Sequence, residues 1–493
     1  MQLTGNVLQK GIENIGISKH DEVYLKINCE PSVAQELCDY FTFYVPGYTF
    51  MPTYRNKIWD GKIRLFNVHN RYLYSGLLEY VFIFAKKHNY KVIPDGDWWK
   101  PQKIEKNQKF IDHLNLPFIP RDYQLEAFYH ALSYQKSLLV SPTASGKSLI
   151  IYMIVRALNV KTLIIVPTTS LVSQLYADFQ EYGWDSLKFC HQVYAGQDKV
   201  SDKQVVISTW QSIYKLQKKI FEPYKLVIGD EAHGFKSKSL TSIMTKCVNA
   251  KYRIGTTGTL DGTQTHKLVL EGLFGRVYKV TTTKKLIDKK ELAAFSIKIL
   301  LLQYHKDICS AMRKSKYMDE LEFLVGHQQR NKYIKNLVLS LDGNTLLLFR
   351  LVKKHGRILY DMIKEEADVN RKTYFVHGGT DTETRERIRS IAEEEHDAII
   401  VASYGVFSTG INIRNLHNIV FASPSKSRIR NLQSIGRALR KTEKKEIATL
   451  YDIADDLSYQ SYQNYTLMHF YERMKMYKEE KFESAVYTIS IKV

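Results

Sequence analysis

Ser141-Pro142-Thr143-Ala144-Ser145-Gly146-Lys147-Ser148 follows the short apolar run Ser137-Leu138-Leu139-Val140 and precedes a longer apolar run that begins at Leu149. The order predicts strand, loop, helix. In a loop of this kind successive backbone N–H groups cradle phosphates, the Lys reaches the β and γ phosphates, and the Ser hydroxyl goes to Mg²⁺. The pattern usually opens on Gly, and Ser141 stands there instead. Pro142, Thr143, Ala144, Ser145, Gly146, Lys147 and Ser148 are therefore the expected nucleotide contacts.

A second signal separates this loop from an ordinary Ser/Gly turn. Tyr224-Lys225-Leu226-Val227-Ile228-Gly229 reads as a strand buried on both faces and ends in two adjacent carboxylates, Asp230 and Glu231. Ligands of α/β sheets sit at strand ends. Asp230, with Ser148, suits Mg²⁺, and Glu231 suits the attacking water.

The short apolar runs alternate with helical patterns, which is the βαβ rhythm of a doubly wound parallel sheet. In one stretch the runs fall at 138–140, 163–166, 205–207, 226–228 and 252–254. After a basic, polar stretch at 281–290 the rhythm restarts at 346–349, 374–376, 399–401, 419–421 and 449–451. The expected fold class is α/β, with two tandem doubly wound lobes. The expected domains are a small α+β module over 1–115, a first lobe over 116–285, a second over 286–456 and a helical tail over 457–493. In the module, strand 22–27, helices 32–41 and 77–88, and a hairpin over 57–66 turning at Asp60-Gly61 are expected. A polar segment near 95–109 links it onward. Residues 307–335 are expected to be helical, and Tyr459, Tyr462 and Tyr465 fall at helical spacing.

Of 493 residues, 44% are hydrophobic, enough for sizeable cores and too many for a disordered chain. Lys and Arg number 71 against 51 Asp and Glu, a net charge of +20. That balance favours a polyanionic partner, most simply nucleic acid, although a generally basic protein would share it. Five scattered Cys show no metal spacing and imply reduced thiols. No leader-like segment opens the chain, and the run near 80–85 is too short to span a membrane. A soluble, cytoplasmic monomer with no membrane partner is the expectation.

With Gln433-Ser434-Ile435-Gly436-Arg437-Ala438-Leu439-Arg440 added, the ordered motifs resemble those of the superfamily 2 helicases, over roughly residues 118–455. Within that superfamily the whole chain is most similar to the recombination helicases of T-even bacteriophages. The resemblance implies two RecA-like lobes that clamp ATP, with Mg²⁺, in the cytoplasm of a host cell. It implies that Arg121 and Gln124 recognise adenine, as Gln does elsewhere by pairing with N6 and N7. Lys147, Asp230, Glu231, His233, Gln433, Arg437 and Arg440 are the catalytic set, the last two Arg as fingers. An arginine finger is worth roughly 10³–10⁵ in turnover in related enzymes. Thr257, Gly258 and Thr259 couple hydrolysis to movement. Pro167, Thr168, Thr209, Trp210, Arg350, Gly378, Thr380, Ser408, Thr409 and Gly410 are the implied nucleic-acid contacts, though each Ser or Thr could equally be a helix cap or turn residue.

Tyr54, Arg55, Lys57, Trp59, Lys62 and Arg64 interleave aromatic and basic groups, which suits base stacking and phosphate contact or, equally, a core with a solvated face. The resemblance implies remodelling of branched DNA (forks, D-loops, four-way junctions) in recombination, repair and replication. Motor motifs and charge leave three alternatives open: an RNA helicase, a translocase on duplex DNA, and a binding protein with a vestigial ATP site.

Overall fold

The computed structural model describes residues 13–194, 196–409, 413, 415–423, 427–439 and 447–491. The chain divides into two compact units: residues 1–141 with 146–280, and residues 281–493 with the loop residues 142–145.

The first unit is built on a parallel sheet, seven strands among the described residues. Their order is Cys190–Val193, Val205–Thr209, Thr162–Val166, Leu226–Asp230, Tyr252–Thr257, Lys136–Val140 and Val277–Lys279. Helices cover both faces of such a sheet, so Thr162–Val166 and Val205–Thr209 are buried along their whole length. The two edge strands, Cys190–Val193 and Val277–Lys279, escape a search for apolar runs because they are short and carry His191, Gln192, Tyr278 and Lys279. Arg253 lies in the strand Tyr252–Thr257 and is 1% exposed. It donates to the carbonyls of Met244 at 2.8 Å, Cys247 at 3.0 Å and Leu273 at 2.9 Å. These cap the ends of the helices Lys238–Lys246 and Gln264–Phe274, where the helix dipole favours a cation.

The N-terminal module forms a mixed sheet ordered Phe66–Asn67, Tyr72–Tyr74, Tyr24–Asn28, Asn14–Lys19, Lys91–Pro94, with the helices Pro31–Tyr40 and Leu78–His88. It is fused to the nucleotide-motif sheet. One hydrophobic core runs from Ile15, Leu25, Leu73 and Phe84 to Leu138, Ile165, Phe235 and Phe274. Polar ties rim it. The Tyr80 hydroxyl donates to buried Glu271 at 2.6 Å. Lys136 reaches Glu22 at 3.3 Å and Ser75 at 3.0 Å, and burial lowers its pKa to about 8.

The hairpin expected over 57–66 is not formed. The chain does turn at Asp60-Gly61, with Gly61 at φ 80°. However, Pro52 starts the short helix Pro52–Arg55 on the upstream side. The downstream strand Lys62–Arg64 pairs instead with Thr42–Tyr44.

The second unit repeats the architecture. Seven described strands run parallel in the order Thr373–Val376, Ile399–Ser403, Thr345–Phe349, Asn418–Phe421, Ile447–Asp456, Ala294–Gln303, Glu483–Ser490. The segment 307–335 forms helices, Lys306–Met312, Tyr317–Gly326 and the start of Gln328–Leu339. The tail is helical only over Tyr465–Glu479, and then adds the strand Glu483–Ser490 to the sheet edge beside Ala294–Gln303. The β-branched and aromatic run Val486-Tyr487-Thr488-Ile489 suits that strand. The tyrosine stripe does not exist as a helix face. Tyr459 and Tyr462 pair their backbones in a tight bridge, and the helix starts only at Tyr465. Its N-terminus is held by buried Glu320, which accepts from the backbone N–H groups of Tyr465 at 2.9 Å and Thr466 at 2.8 Å.

Gly76 tests the fusion of the module to the first sheet. A Cβ there would lie 2.0 Å from the Glu271 carbonyl oxygen and 2.8 Å from the Gly275 nitrogen, both backbone atoms. Gly76→Ala is expected to destabilise the first unit by about 1–3 kcal/mol. Thermal unfolding should show the module and the first sheet melting together at the lowered temperature. Loss of the module alone would contradict a shared core.

Candidate active site

Three chain segments meet at the carboxyl edge of the first sheet because their strands are neighbours in register. Asp230 pairs with Thr256, and Thr257 with Val140. The next residue after Val140 stays in line, as the Ser141 N–H donates to the Thr257 carbonyl at 2.9 Å.

The loop that leaves Val140 reverses through two left-handed residues, Ala144 at φ 67° and Gly146 at φ 78°. Gly146 caps the helix Lys147–Leu158, and a Cβ on it would collide with the Gln124 amide nitrogen at 2.2 Å. A side chain here would have to displace the Gln124 amide and adopt a left-handed backbone, which favours Gly at this position. The Ser145 hydroxyl donates to the Pro142 carbonyl at 2.6 Å and tightens the turn. Lys147 lies 3.4 Å from the Ser141 carbonyl. Arg121 and Gln124 sit beside this loop. Gln124 is buried, accepts the Arg121 N–H at 2.8 Å as part of a capping box, and points its amide NH₂ at the Gly146 carbonyl at 3.5 Å.

Asp230 ends its strand with its carboxylate accepting from Thr256 Oγ1 at 2.7 Å. Burial raises its pKa, and the charge of Glu231 raises it further, while Lys147 and Thr256 pull the other way. Glu231 adopts a left-handed conformation, φ 50°, which carries the chain into the short helix Ala232–Lys236. His233 Nδ1 lies 3.1 Å from Thr257 Oγ1 and 3.3 Å from Glu231. Thr257 in turn donates to the Thr259 carbonyl at 3.1 Å. Phosphate loop, carboxylate pair and Thr257-Gly258-Thr259 thus form one connected set.

These residues fit a nucleotide and a cation. The loop offers backbone N–H groups at a helix N-terminus, beside a Lys. Among the described residues no cluster of three His, Cys, Asp or Glu could hold a metal. A Mg²⁺ at this edge would therefore rest on Asp230, Ser148 and phosphate oxygens, the usual manner for that ion. One participant carries no sequence signal. The Ser148 hydroxyl is engaged by the Tyr182 hydroxyl at 2.7 Å, and Tyr182 lies 34 residues away at the end of the helix Thr169–Glu181.

In the second unit, Gln433 and Arg437 lie in the helix Arg428–Ala438. The Arg437 side chain and Arg440 lie outside the described residues, as do the side chains of Ser408 and Thr409 and all of Gly410.

The remaining implied nucleic-acid contacts have local structural duties. Thr168 caps the helix Thr169–Glu181, and the Pro167 carbonyl accepts from Gln211 at 3.4 Å. Thr209 is buried with its hydroxyl 2.9 Å from Ser212, and Trp210 packs edge-on against Tyr214. Arg350 donates to the Tyr317 hydroxyl. The Gly378 carbonyl accepts from Arg385 at 3.1 Å, and Thr380 Oγ1 accepts the His377 N–H at 3.1 Å.

In the module, Trp59 Nε1 donates to the Lys62 carbonyl at 2.9 Å and Tyr54 packs edge-on to Tyr48. Lys62 lies 5.0 Å over the exposed ring of Tyr44, Arg64 pairs with Asp60 at 2.5 Å, and Arg55 and Lys57 are exposed. Tyr54, Trp59 and Lys62 are thus half-buried, while Arg55, Lys57 and Arg64 are exposed.

Asp230→Asn separates stability from turnover. A carboxyl whose folded pKa lies above its unfolded value binds protons more tightly when folded. Its ionisation therefore lowers stability as pH rises from the unfolded pKa through the folded one. At neutral pH the ligand-free variant should melt above the parent. Its ATP turnover should fall on the order of 10²-fold or more. A lower melting temperature at pH 7 would contradict a strained carboxylate.

Three family models match the chain. Residues 14–95 match one described as DNA helicase UvsW, N-terminal. Residues 117–262 match Type III restriction enzyme, res subunit, and residues 329–442 the helicase conserved C-terminal domain. The ATP-dependent DNA helicase uvsW of Enterobacteria phage T4 is 34% identical over 511 residues, covering 97% of this chain and 100% of that protein. A crystal structure of T4 UvsW covers 97% of this chain at 33% identity, with a TM-score of 0.51. The DNA 3'-5' translocase XPB2 of Sulfurisphaera tokodaii is 26% identical over 387 residues, 70% of this chain and 85% of that one. With a relative alike along its full length and its characteristic N-terminal module matched as well, the chain belongs to the UvsW family of ATP-dependent DNA helicases, within helicase superfamily 2.

Proposed function

We propose that this helicase remodels branched DNA, driving the exchange of strands at forks, D-loops and four-way junctions with ATP. The observation that carries the motor assignment is the connected set at one sheet edge, in which His233 joins the carboxylate pair to Thr257. Branched substrates rest on the family resemblance and on the fused N-terminal module, whose surface carries Arg55, Lys57 and Arg64.

Roles follow from chemistry. Lys147 and the loop N–H groups bind the β and γ phosphates, and Arg121 and Gln124 orient the base. Ser148 and Asp230 hold Mg²⁺, which supplies charge neutralisation at the phosphates. Glu231 orients the attacking water and can take its proton. Arg437 and Arg440 are assigned as fingers, with Gln433 one turn before Arg437. The domains are assigned as 1–115, 116–285, 286–456 and 457–493.

ATP hydrolysis is compared without nucleic acid and with single-stranded DNA, duplex DNA, a four-way junction and structured RNA. Junction DNA should stimulate turnover most, and Lys147→Ala should abolish it while DNA binding persists. Stimulation chiefly by RNA would favour an RNA helicase, and equal stimulation by plain duplex without strand separation a translocase. Absence of turnover with every nucleic acid would favour a binding protein with a vestigial site.

Binding should also be salt-dependent. Phosphate contacts release counterions, so affinity for junction DNA should fall on the order of 10³-fold between 50 and 200 mM salt if several are made. A flat response, measured by fluorescence anisotropy, would refute a backbone-dominated interface.

A further inference from the structure

Beyond the Thr257-Gly258-Thr259 segment lies a second ionic cluster that the assigned motifs do not include. Asp261 Oδ2 accepts from Lys236 Nζ at 2.8 Å and also contacts His266 Nδ1. With that ring nitrogen donating its proton to Asp261, its 3.2 Å separation from Lys236 Nζ is proximity within the cluster. The other carboxylate oxygen, Oδ1, accepts the Thr263 N–H at 3.0 Å and the Thr263 hydroxyl at 2.8 Å. Four donors on one carboxylate hold it ionised, well below the usual range, and none of these partners is fully buried.

The placement of these partners gives the cluster its meaning. Lys236 is the last residue of the short helix Ala232–Lys236, whose second residue is His233. His233 already ties that helix to Thr257 at 3.1 Å. Asp261 lies four residues beyond Thr257 on the same loop, and His266 lies in the first turn of the helix Gln264–Phe274. The turn after the carboxylate pair is therefore fastened to one loop at both ends, by the His233–Thr257 contact near Glu231 and by the Lys236–Asp261 ion pair farther out.

A turn held at one point can pivot, whereas a turn held at two transmits its displacement to the loop. We propose that Lys236 and Asp261, braced by His266, are positioning residues that make movement of the carboxylate turn and of the Thr257-Gly258-Thr259 loop a single event. The clasp acts through Glu231 and Thr257 and touches no reacting atom. It rests on the motor assignment above.

The test uses the full chain with Lys236→Met, Asp261→Asn and the double substitution. Melting temperature, ATP KM, turnover without DNA and turnover with junction DNA are measured for each. Both single variants should keep the KM and DNA-free turnover of the parent, and lose roughly tenfold of the DNA stimulation. The double variant should lose no more than either single one, because each already opens the same clasp.

A lowered melting temperature with stimulation intact would reduce the cluster to a structural brace and overturn the proposal. Additive losses in the double variant would also overturn it, since the two residues would then act separately. A parent protein with no DNA stimulation at all would count against the motor assignment, a failure distinct from variants that match a stimulated parent.

Discussion

Parallel pairing of Asp230 with Thr256 and of Thr257 with Val140 is the constraint on which the site depends. A one-residue slip between parallel strands turns every side chain to the opposite face. Both faces are close-packed, so a slip would force side chains of different size to exchange places. Register is therefore held by the packing of Leu226-Val227-Ile228 and Leu138-Leu139, and the polar residues that follow inherit their positions. Chemistry at the sheet edge is set by packing several residues away from it.

The same edge explains the electrostatics. Asp230 and Glu231 are adjacent, and Asp230 is raised by burial and by its neighbour's charge. A carboxylate raised in this way is an unfavourable arrangement, which a cation beside it would relieve. Thr256 and Lys147 limit the strain without removing it. The Tyr182 hydroxyl adds a partner for Ser148. A hydroxyl that ligates a cation through its lone pairs must direct its proton elsewhere, and Tyr182 offers an oxygen for it.

Much of this was legible in the sequence, and for a definite reason. Strands buried on both faces are written as continuous apolar runs, and all ten expected runs are strands, the partly exposed edge strand Thr373–Val376 included. The other edge strands are not written that way. Cys190–Val193 and Val277–Lys279 are short and half polar, and Glu483–Ser490 is exposed along most of its length. The excursion over 42–64 misled because Asp60-Gly61 signals a turn but not its partner. The strand that answers Lys62–Arg64 lies across a helix started by Pro52. Within the site, motif residues were visible because their types and spacing are dictated by phosphate chemistry. Tyr182, Lys236 and Asp261 were not, since a hydroxyl or ion-pair partner can come from any segment the fold brings near.

The fusion of the N-terminal module to the first sheet has a mechanical consequence. Glu271 accepts from Tyr80 of the module and from the Val277 N–H beside the phosphate-loop strand. Lys136, in that same strand, reaches Glu22 and Ser75 of the module. Two independent polar ties and a continuous core leave no soft joint between the module and the strand that carries the phosphate loop. A surface on a domain joined by a flexible linker reports little of what its neighbour does. A surface welded to the nucleotide sheet moves with it. The module's five-stranded sheet is therefore fixed relative to Lys147, and any DNA that sheet holds is held by the body that binds the nucleotide.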